Sequence, residues 1–274
     1  MDGSNFASAL PIVMAASDEH YFRKHAVGFA KSALAAGHNV HLIVSPAPGP
    51  GLPKRARRIE KDVVTPFLAR FAASEIARLV VEVVENPRAT AEMTASEAVV
   101  FYQSLRFFYL PSLLRNYCRP IVVLDIDSLV MQSIPARRDA DVGLYLRLGN
   151  QKGKTDFERE GMQVLGAMVY ADPRGASFFD EVGQYLDRNQ RRYYIDQHAL
   201  YRTYLANENV RTFDIAETGW LDWTFKPGAT VWTAKGKKKR RNLTYVRERL
   251  RLEGRGVLAS AIVLTGYALG LIRT

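Results

Sequence analysis

A chain of 274 residues, 47% of them hydrophobic and 24% charged, has ample material for a folded core, which excludes an intrinsically disordered protein. Its single cysteine, Cys118, excludes intrachain disulfides and cysteine-based metal clusters and points to a reducing compartment. The formal net charge of +10 is concentrated at one end: Lys235 to Thr274 holds eleven basic residues against Glu248 and Glu253. The nearly neutral body excludes a globally nucleic-acid-like surface and assigns an anionic partner to the tail alone.

From the N-terminus, Met1 to Leu10 shows neither a basic n-region nor an apolar h-region, so no signal peptide is expected and the cytosol is the expected location. Pro11 to Ala16 reads as a strand, Tyr21 to Ala36 as a helix stopped by Gly37, and Asn39 to Val44 as a second strand. That is a β-α-β unit of a parallel sheet with a right-handed crossover. Asp18 and Tyr21 fall at the first strand-to-helix junction, where an N-cap and a ligand role are equally open. Ser45 to Pro53 is a loop, Lys54 to Arg58 a charged helix start, and Arg78 to Glu85 a further strand. Ser96 to Tyr117 has a helical pattern, with a break expected at Pro111. Arg106 lies there among Phe101, Tyr102, Phe107, Phe108 and Tyr109, where it must snorkel to the surface or meet an acid or a phosphate.

The densest signal follows. Ile121 to Leu124 is an apolar, β-branched run of the kind buried on both faces of a parallel sheet, and it leads straight into Asp125-Ile126-Asp127. Alternation along a strand would aim Asp125 and Asp127 into one crevice at the carboxyl end of the sheet. Two carboxylates about 4 Å apart repel by roughly 4 kcal/mol at an effective dielectric near 20, so they call for a proton, a base or a cation. Oxygen ligands of this kind suit Mg²⁺ or Mn²⁺ shared with substrate phosphates. Beyond them, Asp141 to Leu146 and Leu165 to Tyr170 read as strands, Gly149 to Gly161 as a loop able to cover a site, and Ala176 to Leu186 as a helix. Asp196-Gln197-His198 opens a helix running to Leu205, with strands at Val210 to Phe213 and Ala229 to Trp232.

In order and spacing these pieces resemble glycosyltransferase family 8, enzymes of the GT-A fold that use nucleotide sugars. The segments concerned are Pro11 to Leu34, Ser104 to Val130 with its Leu-Asp-Ile-Asp, Gly166 to Tyr170, and Asp196 to Leu200. The resemblance implies an α/β fold with a mostly parallel sheet flanked by helices. It also implies retaining transfer of a hexose from a UDP-linked donor to a hydroxyl of a glycan or glycolipid. Asp125 and Asp127 would hold Mn²⁺ or Mg²⁺ on the donor diphosphate, Asp18 and Tyr21 would meet uracil and ribose, and Arg106 would lie near the donor. Asp196 and Gln197 would flank the anomeric carbon, Gln197 stabilising a developing oxocarbenium. Gly236 and Lys239 match the family's His-x-x-Gly-x-x-Lys run, but Thr233 stands where that run has the metal-binding His. Val164-Leu165-Gly166 also lacks the Asn usual before that glycine. His198 is the one histidine placed to act as a stand-in ligand.

Two rivals accompany this reading. Val122 to Leu129 also looks like the nucleophile motif of haloacid-dehalogenase phosphatases, although that motif normally opens its domain; the other rival is a degenerate transferase that only binds. The expected organisation is a catalytic domain over 1–234 and a basic segment over 235–274. In that segment Leu243, Val246 and Leu250 form an apolar face among arginines, followed by the uncharged run Gly256 to Ile272. Such a tail suits peripheral attachment to an anionic membrane surface, with packing on the domain as the alternative.

Overall fold

The computed structural model describes residues 9–46, 52–85, 94–189, 192–234, 241–254, 261, 263, 265 and 266. In chain order its main elements are β1 (Ile12–Asp18), α1 (Glu19–Ala35), β2 (Val40–Ser45), α2 (Leu52–Ile59), β3 (Leu79–Val83), α3 (Ala95–Tyr117), β4 (Ile121–Leu124) and β5 (Ser128–Val130). There follow β6 (Val142–Leu146), α4 (Asp156–Gly161), β7 (Val164–Ala171), α5 (Ala176–Arg188), α6 (Ile195–Ala206), β8 (Thr212–Asp214), β9 (Leu221–Asp222), β10 (Val231–Thr233) and α7 (Leu243–Leu252).

Seven strands form one sheet in the order β3-β2-β1-β4-β7-β6-β8. Only β7 runs against the others, so β1, β4 and β6 all end at the same edge and β7 begins there. This is the mostly parallel sheet that the family resemblance implies. Alternation divides each inner strand between two cores. Val13, Ala15, Val122 and Leu124 pack with Phe22, Ala26 and Phe29 of α1. Ile12, Met14, Ile121 and Val123 pack with Leu105, Leu110 and Phe179 beneath α3 and α5. Burial on both faces is what lets such short strands hold the site rigidly.

Three local expectations change. Helix α3 runs through Pro111 without a break; the proline costs one intrahelical hydrogen bond, but packing of Leu110, Leu113 and Leu114 in the core keeps the helix together. The segment Gly149 to Gly161 is not all loop, because Thr155 and Glu158 form a capping box that starts α4. The apolar side of α7 is already occupied. Val246 and Leu250 are buried with Leu129, Phe225 and Trp232, while Leu243 is exposed. That amphipathic face therefore serves packing on the body and is not offered to a membrane. Among the described residues no helix is long and apolar enough to cross one; most of the run Gly256 to Ile272 lies outside them.

A small second sheet, β5-β10-β9, carries the chain away from the acidic segment. Strand β5 pairs antiparallel with β10, with Thr233 opposite Ser128.

Candidate active site

The site is built around Arg106. It projects from α3, its side chain is only 6% exposed, and its Nη1 donates to Asp125 Oδ1 at 2.6 Å. Its Nη2 lies 3.5 Å from Asp196 Oδ2, in the buried first turn of α6. A guanidinium this deep is stable only with anionic company, and it gathers that company from two elements far apart in sequence. The floor beneath it is Gly166 of β7. A Cβ there would stand 3.2 Å from Asp196 Oδ2, 3.4 Å from Arg106 Nη2 and 3.4 Å from Gln197 Cγ. Glycine inside an otherwise apolar strand marks this close approach.

The N-cap of α6 is Tyr194, whose backbone adopts a left-handed conformation at φ 71°. The turn sends Asp196 and Gln197 inward, and both are buried. Burial pushes the Asp196 carboxyl above its ordinary range; Arg106 pulls the other way and the Asp125 charge adds to the rise. The next residue, His198, faces a separate group. Its Nε2 is 2.7 Å from Glu160 Oε2, its Nδ1 pairs with the Tyr185 hydroxyl at 2.8 Å, and its ring stacks on Phe157 at 4.3 Å. Burial lowers its pKa, with Glu160 opposing. His198 thus ties α4 to α6 and is no stand-in metal ligand.

The acidic pair is placed by a turn and not by strand alternation. Strand β4 ends at Leu124, and Ser128 N–H donates to the Asp125 carbonyl at 2.9 Å, closing Asp125 to Ser128. Asp125 remains 37% exposed at its side chain, and Asp127 is buried. Asp18, at the neighbouring end of β1, caps α1 by accepting from Tyr21 N–H at 2.8 Å. Tyr21 is half-buried with its ring 5.3 Å from that of His25. Asp18 also raises the Tyr102 hydroxyl pKa, second to burial, so α3 reaches this end of the site too. Gly236 and Lys239 lie outside the described residues.

Among the described residues no three His, Cys, Asp or Glu side chains gather to cage an ion. The donors present instead suit a hard cation shared with phosphates. Asp125 gives Arg106 a single oxygen. The Thr233 hydroxyl, where the resemblance calls for imidazole, is buried without a hydrogen-bond partner, as is that of Ser128 opposite it. The donor set is therefore all oxygen.

The chain matches no known family, and no curated protein matches it in sequence. Solved structures do match. The "WbbM bifunctional glycosytransferase apo structure" aligns at a TM-score of 0.53 with 13% identity, over 94% of this chain and 52% of that one. The fold is GT-A-like. This chain spans about half the length of that structure. Galactosyltransferase LgtC, solved with donor and acceptor sugar analogs, is more distant, with a TM-score of 0.44 and 18% identity over 70% of each chain. GlyE of Streptococcus pneumoniae aligns at 0.49 with 10% identity, over 96% of this chain and 65% of that one.

Sequence reasoning did not mark Gly166 as a site residue, nor Tyr194 and Tyr102. The signal for the first was present: a lone glycine in the eight-residue apolar run of β7. Nothing in the sequence flags a left-handed tyrosine.

Proposed function

We propose that this protein transfers a hexose from a UDP-linked donor to a hydroxyl of a glycan or glycolipid, with retention of anomeric configuration. The observation carrying this reading is the convergence of Asp125 and Asp196 on Arg106, over the bare floor of Gly166 with Gln197 beside it, at the carboxyl edge of a GT-A-like sheet. Asp18 and Tyr21, one strand away, would take the uracil and ribose. Asp125 and Asp127 would hold Mg²⁺ or Mn²⁺ against the donor diphosphate, where such an ion stabilises charge on the departing phosphate oxygen. Arg106 pairs with both Asp125 and Asp196 and supplies fixed positive charge beneath the donor. Gln197, buried at the start of α6, would present its amide to the anomeric carbon. Gly236 and Lys239 would meet the diphosphate, and the basic residues of the tail would contact an anionic membrane surface.

The phosphatase rival requires Asp125 as a free nucleophile. Here its carboxylate is ion-paired to Arg106, and three strands of the sheet precede the strand that leads into it. The test is a thermal-shift and calorimetric panel of nucleotide sugars with Mg²⁺ or Mn²⁺, followed by assay of UDP-sugar hydrolysis. Stabilisation by a UDP-sugar that Asp125→Ala and Asp127→Ala abolish supports the reading. Hydrolysis of aryl phosphates without any response to nucleotide sugars would replace it.

A further inference from the structure

The turn that holds Asp127 is fastened from the far end of the chain. Tyr245, in the first turn of α7, is completely buried, and its hydroxyl donates to the Asp127 backbone carbonyl at 2.7 Å across 118 residues. Its ring lies 5.4 Å from Phe225, which lies 5.7 Å from Trp232. Trp232 is the register partner of Leu129 in β5, two residues beyond Asp127. The indole N–H is itself fixed, donating to the Lys226 carbonyl at 2.9 Å. The start of α7 is set by Asn242, whose Oδ1 accepts from Thr244 N–H at 2.9 Å. Its far end is held to the body as well, since Arg70 donates to the Glu253 carbonyl at 2.6 Å.

A helix that needed only to bury Val246 and Leu250 could end in a phenylalanine at this place. A buried hydroxyl is retained where its hydrogen bond has a use, because an unmet one costs stability. The use here is geometric. The carbonyl it holds belongs to the residue proposed to serve the donor diphosphate, and a shift of about 1 Å in such a group is enough to cost activity heavily.

We infer that Tyr245 is a positioning residue: through the Asp127 carbonyl, the C-terminal helix sets the acidic turn for the phosphates of the donor. The inference rests on the proposed function above, because it presumes that Asp127 serves a nucleotide diphosphate.

The test compares the full-length protein with Tyr245→Phe, using calorimetry with UDP and with uridine in the presence of Mg²⁺, and steady-state hydrolysis of UDP-glucose and UDP-galactose. Loss of one hydrogen bond acting on phosphate placement predicts about a tenfold loss of UDP affinity and a similar fall in turnover, with uridine affinity unchanged. A loosening of the whole domain would instead weaken uridine and UDP in parallel. That result, or unchanged UDP affinity, overturns the inference. Should Tyr245→Phe fail to fold, Asn242→Ala serves, because it frays only the exposed start of α7. It is expected to weaken UDP by a few-fold and leave uridine alone, and equal UDP affinity would count against the inference. Asp127→Asn separates the two layers. If it destroys UDP binding while Tyr245→Phe does nothing, only the positioning role fails. If Asp127→Asn is itself silent, the functional reading fails.

Discussion

Two arginines lie equally deep in this protein, and an acidic partner of one is local while the acids paired with the other are not. Arg249 of α7 is 7% exposed at its side chain and pairs at 3.3 Å with Glu253, one turn along the same helix. Its stem packs where Gly28 of α1 leaves room, since a Cβ there would come within 2.8 Å of Arg249 Cγ. Arg106 is 6% exposed and reaches Asp125 and Asp196, which α3 meets only through the tertiary fold. A buried ion pair seldom stabilises more than an apolar replacement would, and a local pair asks little of the rest of the chain. Drawing two acids from distant elements onto one guanidinium is costly to arrange, and the proposed function gives that cost a use. Depth alone does not separate the two arginines, and the proposed function uses the one whose paired acids come from distant elements.

The comparison can be broken most forcefully at Arg106 itself. Arg106→Met leaves Asp196 buried without its counter-charge, and should cost about 3–5 kcal/mol of stability by denaturant titration. Donor binding by calorimetry should vanish with it. Should UDP affinity survive, Arg106 is a structural arginine like Arg249.

Asp196→Asn removes the charge and keeps the shape. Hydrolysis of the donor should fall by roughly 100-fold. Stability should move the other way. Burial raises the Asp196 pKa in the folded protein above its unfolded value, so the folded state prefers the protonated acid. Stability is therefore lost as pH rises from the unfolded value through the folded one, and Asn escapes that loss. The variant should melt higher than the parent at neutral pH and show a flatter profile between mildly acidic and neutral conditions. A lower melting point at pH 7 would mean that the carboxylate is a net stabiliser and would remove the stability–function conflict claimed for this site.

How far the sequence foretells this contrast depends on which contacts are local. The inner strands are legible because Ile12 to Ala16 and Ile121 to Leu124 are apolar runs flanked by turn residues, and the sheet uses them so. The need of Arg106 for an anion is legible too, because no burial among Phe107 and its neighbours is tolerable without one. Which anion is not legible, since Asp125 and Asp196 are set by the packing of α3 and α6 against the sheet. The acidic pair shows the limit from the other side. The motif is plain, yet strand alternation misjudges its geometry because the strand stops at Leu124. Pro111 misleads for a similar reason: a local break signal is overruled by the apolar residues around it. The bond from Tyr245 to Asp127 carries no local mark at all.

A sharper probe of the Arg106 site is its floor. Gly166→Ala has no backbone conflict to meet, so its effect reads out the crowding at 3.2–3.4 Å among Asp196, Arg106 and Gln197. A forced shift of a few tenths of an ångström in those groups should lower turnover by about tenfold, with a stability loss of about 1–3 kcal/mol. Unchanged kinetics would show that the three groups need no such close approach.

His198 gives a milder effect, readable by pH. Its folded-state pKa is depressed by burial, so its contribution is present above the unfolded value and is lost as pH falls through the folded one. Melting temperatures should decline in mildly acidic buffer, and His198→Gln, which keeps a donor and an acceptor beside Glu160 and Tyr185, should flatten that decline. An equally steep decline in the variant would assign the acid sensitivity to another group.

The smallest effect is expected where the comparison began. Removing Arg249 alone would take an ion-pair partner from the buried Glu253, so the informative change takes both residues, Arg249→Met with Glu253→Gln. The methionine follows the arginine stem past Gly28, and the pair exchanges a desolvated ion contact for apolar packing and a neutral amide. Stability should change by no more than about 1–2 kcal/mol, in either direction, and UDP affinity by less than about twofold. The matching double change at the other arginine, Arg106→Met with Asp196→Asn, also leaves no stranded Asp196, yet it should abolish donor binding. If instead both doubles kept full UDP affinity, the long reach of Arg106 would be no more than a packing solution, and partner distance would lose its value as a mark of function.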